Sequence, residues 1–305
     1  MGNDYDIIII GGGPAGLSAG IYASRASLRT LLIERGMFGG QIANTDMVEN
    51  YPGFPEGISG FELGELMYRQ AIRFGIETVS AEVIDAELKP DTKVIKTTEG
   101  EFTARAIIIA AGAERKKLGV PGEEAFANRG VSYCATCDGA LFRDSIVAVI
   151  GGGESAVEEA MFLTRFASKV IIIHRRNRLR ASRIIQEQAE SNEKIEFLWD
   201  TVVDEIKGDG RVSKLIVHNV KTGQTSSVDV QGVFIYVGQD PNTGYLKGQI
   251  PLDEEGRIIT NDKMETEVKG VYATGDIRRN SSRQAITAAG DGATAAISAE
   301  KFLNS

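Results

Sequence analysis

The opening of the chain alternates apolar runs with a glycine turn and a helical stretch. Residues 6–10 (DIIII) are almost wholly apolar, residues 11–13 are all glycine, residues 17–26 are predicted to be helical, and residues 31–33 form a second apolar run that ends at Glu34. Short continuous apolar runs are typical of parallel strands that are buried on both faces. We therefore predict a β-α-β unit at the start of the chain.

The same pattern returns in the middle of the chain. It places an apolar run at 146–150, a glycine turn at 151–153, a helix at 157–166 and a second apolar run at 170–173. Gly151 follows Gly11 by 140 positions, and His174 follows Glu34 by the same 140 positions. This register predicts two copies of one supersecondary unit.

Each glycine turn is a candidate site for a dinucleotide. Glycines between a strand and a helix let the backbone approach a pyrophosphate at the helix N-terminus, and an acid at the end of the second strand binds a ribose diol. The candidates in the first turn are Gly11, Gly13, Pro14, Ala15 and Gly16, with Glu34 as the acid; those in the second are Gly151, Gly153, Glu154, Ser155 and Ala156.

The second unit differs from the first at the residue that discriminates between nucleotides. His174, Arg175 and Arg176 stand where the first unit has Glu34, and Arg180 follows. Guanidinium groups at this position favour a ribose 2′-phosphate, whereas an acid favours a free 2′-hydroxyl. The second site is therefore predicted to prefer NADPH to NADH; the alternative is a solvated basic turn.

The remaining pattern indicates how the domains are arranged. Strand-like segments continue to about residue 237, and residues 245–305 are too few to hold a core easily on their own. We expect them to complete the first domain. The predicted fold is α/β with two Rossmann-like, three-layer domains, in which residues 116–244 are inserted into a nucleotide-binding domain made of residues 1–115 and 245–305.

Composition and charge narrow the choice of partners. A formal net charge of −8 argues against nucleic acid and anionic membranes as partners, because both attract basic surfaces. No apolar run reaches the roughly 18 residues of a membrane span. Since the first strand begins by Tyr5, we expect no signal peptide and a cytoplasmic location.

The two cysteines of the chain are Cys134 and Cys137, in the segment CATCDG. Residues at i and i+3 share a helix face, so the pair can cycle between dithiol and disulfide. The alternative, half of a zinc site, lacks histidines at suitable spacing, and we expect no metal. Asp138 is placed to move a proton to or from a thiolate, although a helix cap or turn role is an equal alternative.

With these segments in view, the chain closely resembles the bacterial-type, low-molecular-weight thioredoxin reductases from about Tyr5 to Phe302. The resemblance implies FAD in the first site, NADPH in the second, and a homodimer. It further implies that Cys134 attacks the disulfide of thioredoxin, that Cys137 faces the flavin and that Asp138 handles the proton. The cofactor contacts predicted in addition to the two glycine turns and the basic cluster are Gly40, Gln41, Asn50, Val83, Gly112, Gly238, Gly275, Asp276, Arg283, Gln284 and Ala285.

One departure from the family concerns the partner surface. Family members often carry an aromatic pair just after the redox motif, but here Ala140 and Leu141 precede Phe142, whereas Arg129 is kept at the docking position. Three other functions remain open at this point: a flavin dithiol oxidase, a ferredoxin-linked flavin disulfide reductase, and a redox sensor that binds flavin and NADPH without catalysis.

Overall fold

The structure, a computed structural model, describes residues 4–45, 47–90, 92–246 and 248–305. Two compact units are present, one formed by residues 1–114 with 240–305 and the other by residues 115–239. The helices are α1 (Pro14–Arg25), α2 (Gly60–Arg73), α3 (Ala135–Asp138), α4 (Glu154–Leu163), α5 (Arg183–Glu190) and α6 (Ala285–Leu303). The strands are β1 (Asp4–Ile10), β2 (Thr30–Glu34), β3 (Glu77–Ser80), β4 (Val83–Leu88), β5 (Lys93–Thr97), β6 (Gly100–Ile109), β7 (Ala113–Arg115), β8 (Val131–Ser132), β9 (Ile146–Ile150), β10 (Lys169–Ile173), β11 (Ile195–Leu198), β12 (Thr201–Asp209), β13 (Arg211–Asn219), β14 (Thr225–Asp229), β15 (Gly232–Ile235), β16 (Gln239–Pro241) and β17 (Val271–Ala273).

The first unit is built on a seven-stranded sheet. Its order is β3-β2-β1-β6-β5-β4, and β17 also pairs with β6. Strands β1, β2, β3, β6 and β17 run parallel, whereas β4 and β5 are antiparallel to their neighbours. The long β6 takes part in both kinds of pairing. Its first half pairs antiparallel with β5, and its last three residues pair parallel with β17.

Alternate isoleucines of β1 enter two different cores. Ile7 and Ile9 pack with α1, α2 and α6, whereas Ile8 and Ile10 pack with apolar residues of β4, β5 and the segment 246–277. The period of two along a strand sends neighbouring side chains to opposite faces. A run of four isoleucines is therefore explained by a sheet that is covered on both sides.

The second unit repeats the layering. Its five-stranded parallel sheet has the order β11-β10-β9-β15-β8, and a separate antiparallel sheet has the order β12-β13-β14. Val147 and Val149 face α4, whereas Ala148 and Ile150 face residues of β12 and β13. The prediction of an α/β fold with two Rossmann-like domains is confirmed.

The predicted starts of two helices were wrong by one turn. Helices α1 and α4 begin at Pro14 and Glu154, three residues before the predicted Leu17 and Val157. Proline at the first helical position has a suitable φ angle, and the amide it lacks would be unbonded there in any case. Gly13 and Gly153 are thus the N-caps, and each helix begins directly after its run of three glycines.

Strand structure continues slightly beyond residue 237, because Gln239–Pro241 forms β16, which pairs with β7. No helix in the described part of the chain is long and apolar enough to cross a membrane. Within the same residues, no group of three or more His, Cys, Asp and Glu side chains is arranged to hold a metal ion.

Helices α1 and α6 approach each other so closely that one glycine has no room for a side chain. A Cβ atom on Gly292 would lie 2.0 Å from the carbonyl oxygen of Ala15 and 3.0 Å from the amide nitrogen of Ala19. For Gly290, on the same helix, no atom of the described residues lies within 4 Å of the Cβ position apart from its chain neighbours and its own helix backbone. The two glycines are therefore equivalent in chemistry and opposite in environment.

We predict that Gly292→Ala destabilises the protein by about 1–3 kcal/mol, the usual cost of inserting atoms into a packed core. Gly290→Ala is the matched control and should be neutral or stabilising by up to about 1 kcal/mol, because alanine has the higher helix propensity. Denaturant unfolding of both variants beside the parent measures this difference. Equal stability of the two variants would contradict the close helix approach.

Candidate redox site and nucleotide sites

The redox pair lies on a short helical turn of the second unit. Cys134 and Cys137 form a disulfide, and their Cα atoms are 5.3 Å apart. Cys134 is the N-cap of α3, and the backbone N–H of Asp138 donates to the Cys134 carbonyl oxygen at 3.1 Å. Cys137 is exposed and Cys134 is half-buried. Both sulfurs and the Asp138 carboxylate therefore belong to one compact turn.

Two hydroxyl groups that the sequence reasoning missed hold this turn. The Ser132 hydroxyl donates to Oδ2 of Asp138 at 2.6 Å and accepts from the N–H of Cys134 at 3.1 Å. The Tyr236 hydroxyl accepts from the N–H of Ala135 at 2.6 Å. Burial raises the pKa of Tyr236 above its ordinary value, and the negative charge of Glu159 acts in the same direction, so the phenol stays protonated. Neither Ser132 nor Tyr236 belongs to a sequence motif that would indicate this role. Tyr236 is also 101 positions away from Ala135, so the contact leaves no local pattern in the sequence.

The first glycine turn presents an uncapped helix terminus. No side chain caps α1 at Gly13, and a Cβ atom there would meet only the Cα of Gly40, at 3.9 Å. On the sheet side, a Cβ on Gly16 would lie 1.8 Å from the carbonyl oxygen of Gly11. Free amides with open space before them bind anions such as a pyrophosphate.

Glu34 lies at this same turn. Its Oε2 accepts from the N–H of Gly12 at 2.6 Å, and its Oε1 accepts from the N–H of Gly36 at 2.7 Å. The carboxylate thus stands beside the helix terminus, where a ribose attached to the bound pyrophosphate would need it.

Residues from both ends of the chain meet around the first turn. The Asn50 amide donates to Oε1 of Gln284 at 3.1 Å, which joins two predicted contacts that are 234 positions apart. A Cβ on Gly275 would lie 3.2 Å from that of Ala15. Asp276 Oδ1 accepts from Ser281 at 3.0 Å. The hydroxyl of Thr274 is buried, with no hydrogen-bond partner among the residues the structure describes. These features fit a nucleotide with hydroxyl and phosphate groups.

A second omission of the sequence reasoning is the anchor of this region. Asp291 on α6 accepts from Nε of Arg278 at 2.7 Å and from its Nη2 at 2.9 Å, and it also accepts from the N–H of Gly275 at 3.1 Å. Side-chain exposure of this pair is only 15% and 11%, so solvent screens it weakly. An acid between two glycines in a stretch of small residues was the available signal.

The second glycine turn is shaped around His174. A Cβ on Gly152 would lie 2.4 Å from the His174 ring, and a Cβ on Gly151 would lie 2.5 Å from the carbonyl oxygen of Tyr236. No side chain caps α4 at Gly153. The His174 ring is buried and its Nε2 has no hydrogen-bond partner within the described residues.

The basic cluster is exposed and available to an anion. Arg175, Arg176 and Arg180 are exposed, and none of them forms an ion pair with another residue that the structure describes. Burial lowers the pKa of His174, and the positive charges of Arg180, Arg176 and Arg175 lower it further. Mutual repulsion of these cations is relieved by a bound phosphate.

The other predicted contacts are dispersed within their units. Gly40 and Gln41 are the first two residues of the 3-10 turn Gly40–Asn44, and Gln41 is exposed. Val83 is the first residue of β4. Gly112 accepts from the N–H of Asn242 at 3.1 Å in the first unit, and Gly238 accepts from the N–H of Lys116 at 3.1 Å in the second. Arg283 has a positive φ of 56° just before α6, which begins at Ala285. Within the second turn, Glu154 accepts from Ser182, and Ser155 and Ala156 follow it in the first turn of α4.

Comparisons with known proteins agree with this geometry. Residues 5–292 match the family described as pyridine nucleotide-disulphide oxidoreductase. Thioredoxin reductase of Bacillus subtilis (strain 168) is 51% identical over 300 residues, which cover 98% of this chain and 95% of that protein. Thioredoxin reductase of Peptoclostridium litorale is 48% identical over 309 residues, covering 99% and 98%. The crystal structure of thioredoxin reductase from Streptococcus pyogenes MGAS5005 matches with a TM-score of 0.93 at 48% identity, covering 100% of this chain and 99% of that one.

These likenesses confirm the predicted family, its oxidoreductase activity and its cofactors FAD and NADPH. The chain belongs to the pyridine nucleotide-disulphide oxidoreductase family and, within it, to the bacterial-type thioredoxin reductases.

Proposed function

We propose that this chain passes electrons from NADPH, through bound FAD and the Cys134–Cys137 pair, to the disulfide of a thioredoxin. The observation that carries the proposal is a disulfide next to a carboxylate, in the same unit as a nucleotide cradle with three exposed arginines. When bound, FAD and NADPH supply the two-electron transfer that reduces this disulfide.

The remaining steps fall to the protein's own groups. In the reduced pair, the Cys134 thiolate attacks one sulfur of the substrate disulfide; a mixed disulfide forms, the substrate S–S bond breaks, and the other substrate sulfur leaves as a thiolate that takes a proton from solvent. The Cys137 thiol then gives its proton to Asp138 and its sulfur attacks Cys134, so that the mixed disulfide breaks and the second substrate sulfur leaves with the electron pair and takes the proton from Asp138. The substrate has then gained two electrons and two protons, whereas the enzyme pair, which began as one thiolate and one thiol, has lost two electrons and one proton. Asp138 is the only carboxylate that the turn itself provides.

The two nucleotide sites have separate tasks in this proposal. The amides of α1, Glu34 and the segment around Asp276 hold FAD in the first unit. The turn at Gly151 to Gly153 and the basic cluster hold NADPH in the second unit. Support comes from the uncapped helix termini and from the arginines without carboxylate partners in the described chain.

The partner surface is proposed to include Leu141. Its side chain is 76% exposed beside the redox turn, whereas Phe142 turns inward and meets Phe234 edge to face at 5.2 Å. Leu141 is aliphatic and smaller than the aromatic side chains that family members often carry after the redox motif. Together with Arg129, it would select a thioredoxin with a matching apolar surface.

We further propose that the protein is a homodimer and lies in the cytoplasm. A reducing compartment suits a cysteine pair that must return to the dithiol state in each cycle.

The alternatives are less well supported. An oxidase or a ferredoxin-linked reductase does not need the exposed arginines at the second site. A sensor without catalysis would not need a carboxylate hydrogen-bonded beside the cysteines.

For nucleotide selection, the double variant Arg175→Ala/Arg176→Ala should raise KM for NADPH about tenfold or more, because bonds between charged groups and a 2′-phosphate are lost. KM for NADH should change by about twofold at most, since NADH lacks that phosphate. Steady-state kinetics with both nucleotides measure the effect. Arg211→Ala, which removes an exposed arginine of β13, is the charge control. Equal losses with both nucleotides would refute the assignment.

For the redox pair, Cys134→Ser should lower thioredoxin reduction at least about a thousandfold, because the attacking thiolate is gone. Anaerobic reduction of the flavin by NADPH should persist, since Cys134 takes no part in that step. Stopped-flow absorbance separates the two readouts. Unimpaired turnover of this variant would overturn the assigned role.

A further inference from the structure

Ser132 lies at a rigid place beside the redox turn. It ends β8, whose register pairs Ser132 with Phe234 of the neighbouring β15. The residue is only 5% exposed. Because β8 and β15 fix its backbone, the position of its hydroxyl does not depend on α3 itself.

That hydroxyl has one proton to donate and two lone pairs to accept with. The proton points to Oδ2 of Asp138, 2.6 Å away, and one lone pair takes the N–H of Cys134 at 3.1 Å. The carbonyl oxygen of Cys134 is farther away, at 3.4 Å. Ser132 therefore connects the first cysteine of the pair to the carboxylate that serves it.

We propose that Ser132 is a positioning residue, whose hydroxyl holds the Asp138 carboxylate at the cysteine pair during proton transfer. The inference rests on the proposed function, because it assigns a support to the proton carrier of that reaction. Ser132 gains and loses no proton overall: the proton passes from the Cys137 thiol to Asp138 and then to the departing substrate sulfur. A short bond from a neutral donor to a carboxylate fixes the rotamer of a half-buried acid.

A purely structural role is the competing explanation. A serine that accepts the N–H two residues ahead forms a local turn found throughout proteins. If that bond alone mattered, its loss would loosen α3 and lower stability without selecting one step of the reaction. The two explanations therefore differ in which measurable step is slowed.

The test compares Ser132→Ala with Ser132→Thr, which keeps a hydroxyl, and with Ser168→Ala as control. Ser168 is an exposed residue of the same unit, and its hydroxyl donates only to the Ser145 carbonyl oxygen among the bonds described. Each FAD-bound protein is reduced anaerobically with NADPH and then mixed with oxidised thioredoxin across a pH series. Flavin absorbance follows both steps.

Ser132→Ala should slow flavin reoxidation by thioredoxin about ten- to a hundredfold, the range that loss of a hydrogen bond to a charged group allows. Its flavin reduction by NADPH and its KM for thioredoxin should stay within about twofold of the parent. The pH dependence of reoxidation should move in this variant, and Ser132→Thr should recover at least part of the rate. Ser168→Ala should match the parent throughout.

Equal reoxidation rates and equal pH profiles in Ser132→Ala and the parent would overturn the inference. So would a loss of both steps together with a lower melting temperature, which is the signature of the structural explanation. Failure of the parent itself to be reoxidised by thioredoxin would instead refute the proposed function, so the two failures are distinguishable.

Discussion

The structure depends on one steric constraint, the close approach of a helix N-terminus to the carboxyl edge of a parallel sheet. In the first unit, a Cβ on Gly11 would lie 2.3 Å from the carbonyl oxygen of Ala110, and one on Gly16 would lie 1.8 Å from that of Gly11. In the second unit, a Cβ on the corresponding Gly151 would lie 2.5 Å from the carbonyl oxygen of Tyr236. Ala156 stands at the position that corresponds to Gly16. At Gly11, Gly16 and Gly151 only a residue without a side chain permits this approach, which exposes the helix amides to a phosphate.

The same constraint underlies the proposed assignment of one nucleotide to each unit. Once both turns can bind a nucleotide, the side chain at the end of the second strand decides which one. The Glu34 carboxylate accepts from the backbone N–H groups of Gly12 and Gly36. In the second unit, the ring of His174 instead packs on Gly152 beside exposed arginines. The redox turn adds chemistry to the second unit without altering its sheet, because Ser132 is the last residue of β8 and Tyr236 directly follows β15.

Much of this could be predicted because the signals are local. The run of isoleucines, the glycine spacing and the CATCDG segment each lie within a few residues, and each carries its own physical explanation. The helix starts were less accessible, since hydrophobic periodicity becomes visible only after the first turn, and the true starts at Pro14 and Glu154 depend on the cap. Contacts such as Asn50 with Gln284, or Arg278 with Asp291, depend on how the chain returns and leave no mark in any local pattern.

The central claim, that electrons pass from NADPH to a protein disulfide, is tested most directly by anaerobic mixing of the flavin-containing protein with NADPH and, separately, with NADH. Oxidised thioredoxin is then added while the flavin absorbance is followed. The account predicts rapid bleaching by NADPH, much slower bleaching by NADH at equal concentration, and return of the colour with thioredoxin. A flavin that neither nucleotide bleaches, or one that stays bleached when thioredoxin is added, would contradict the account.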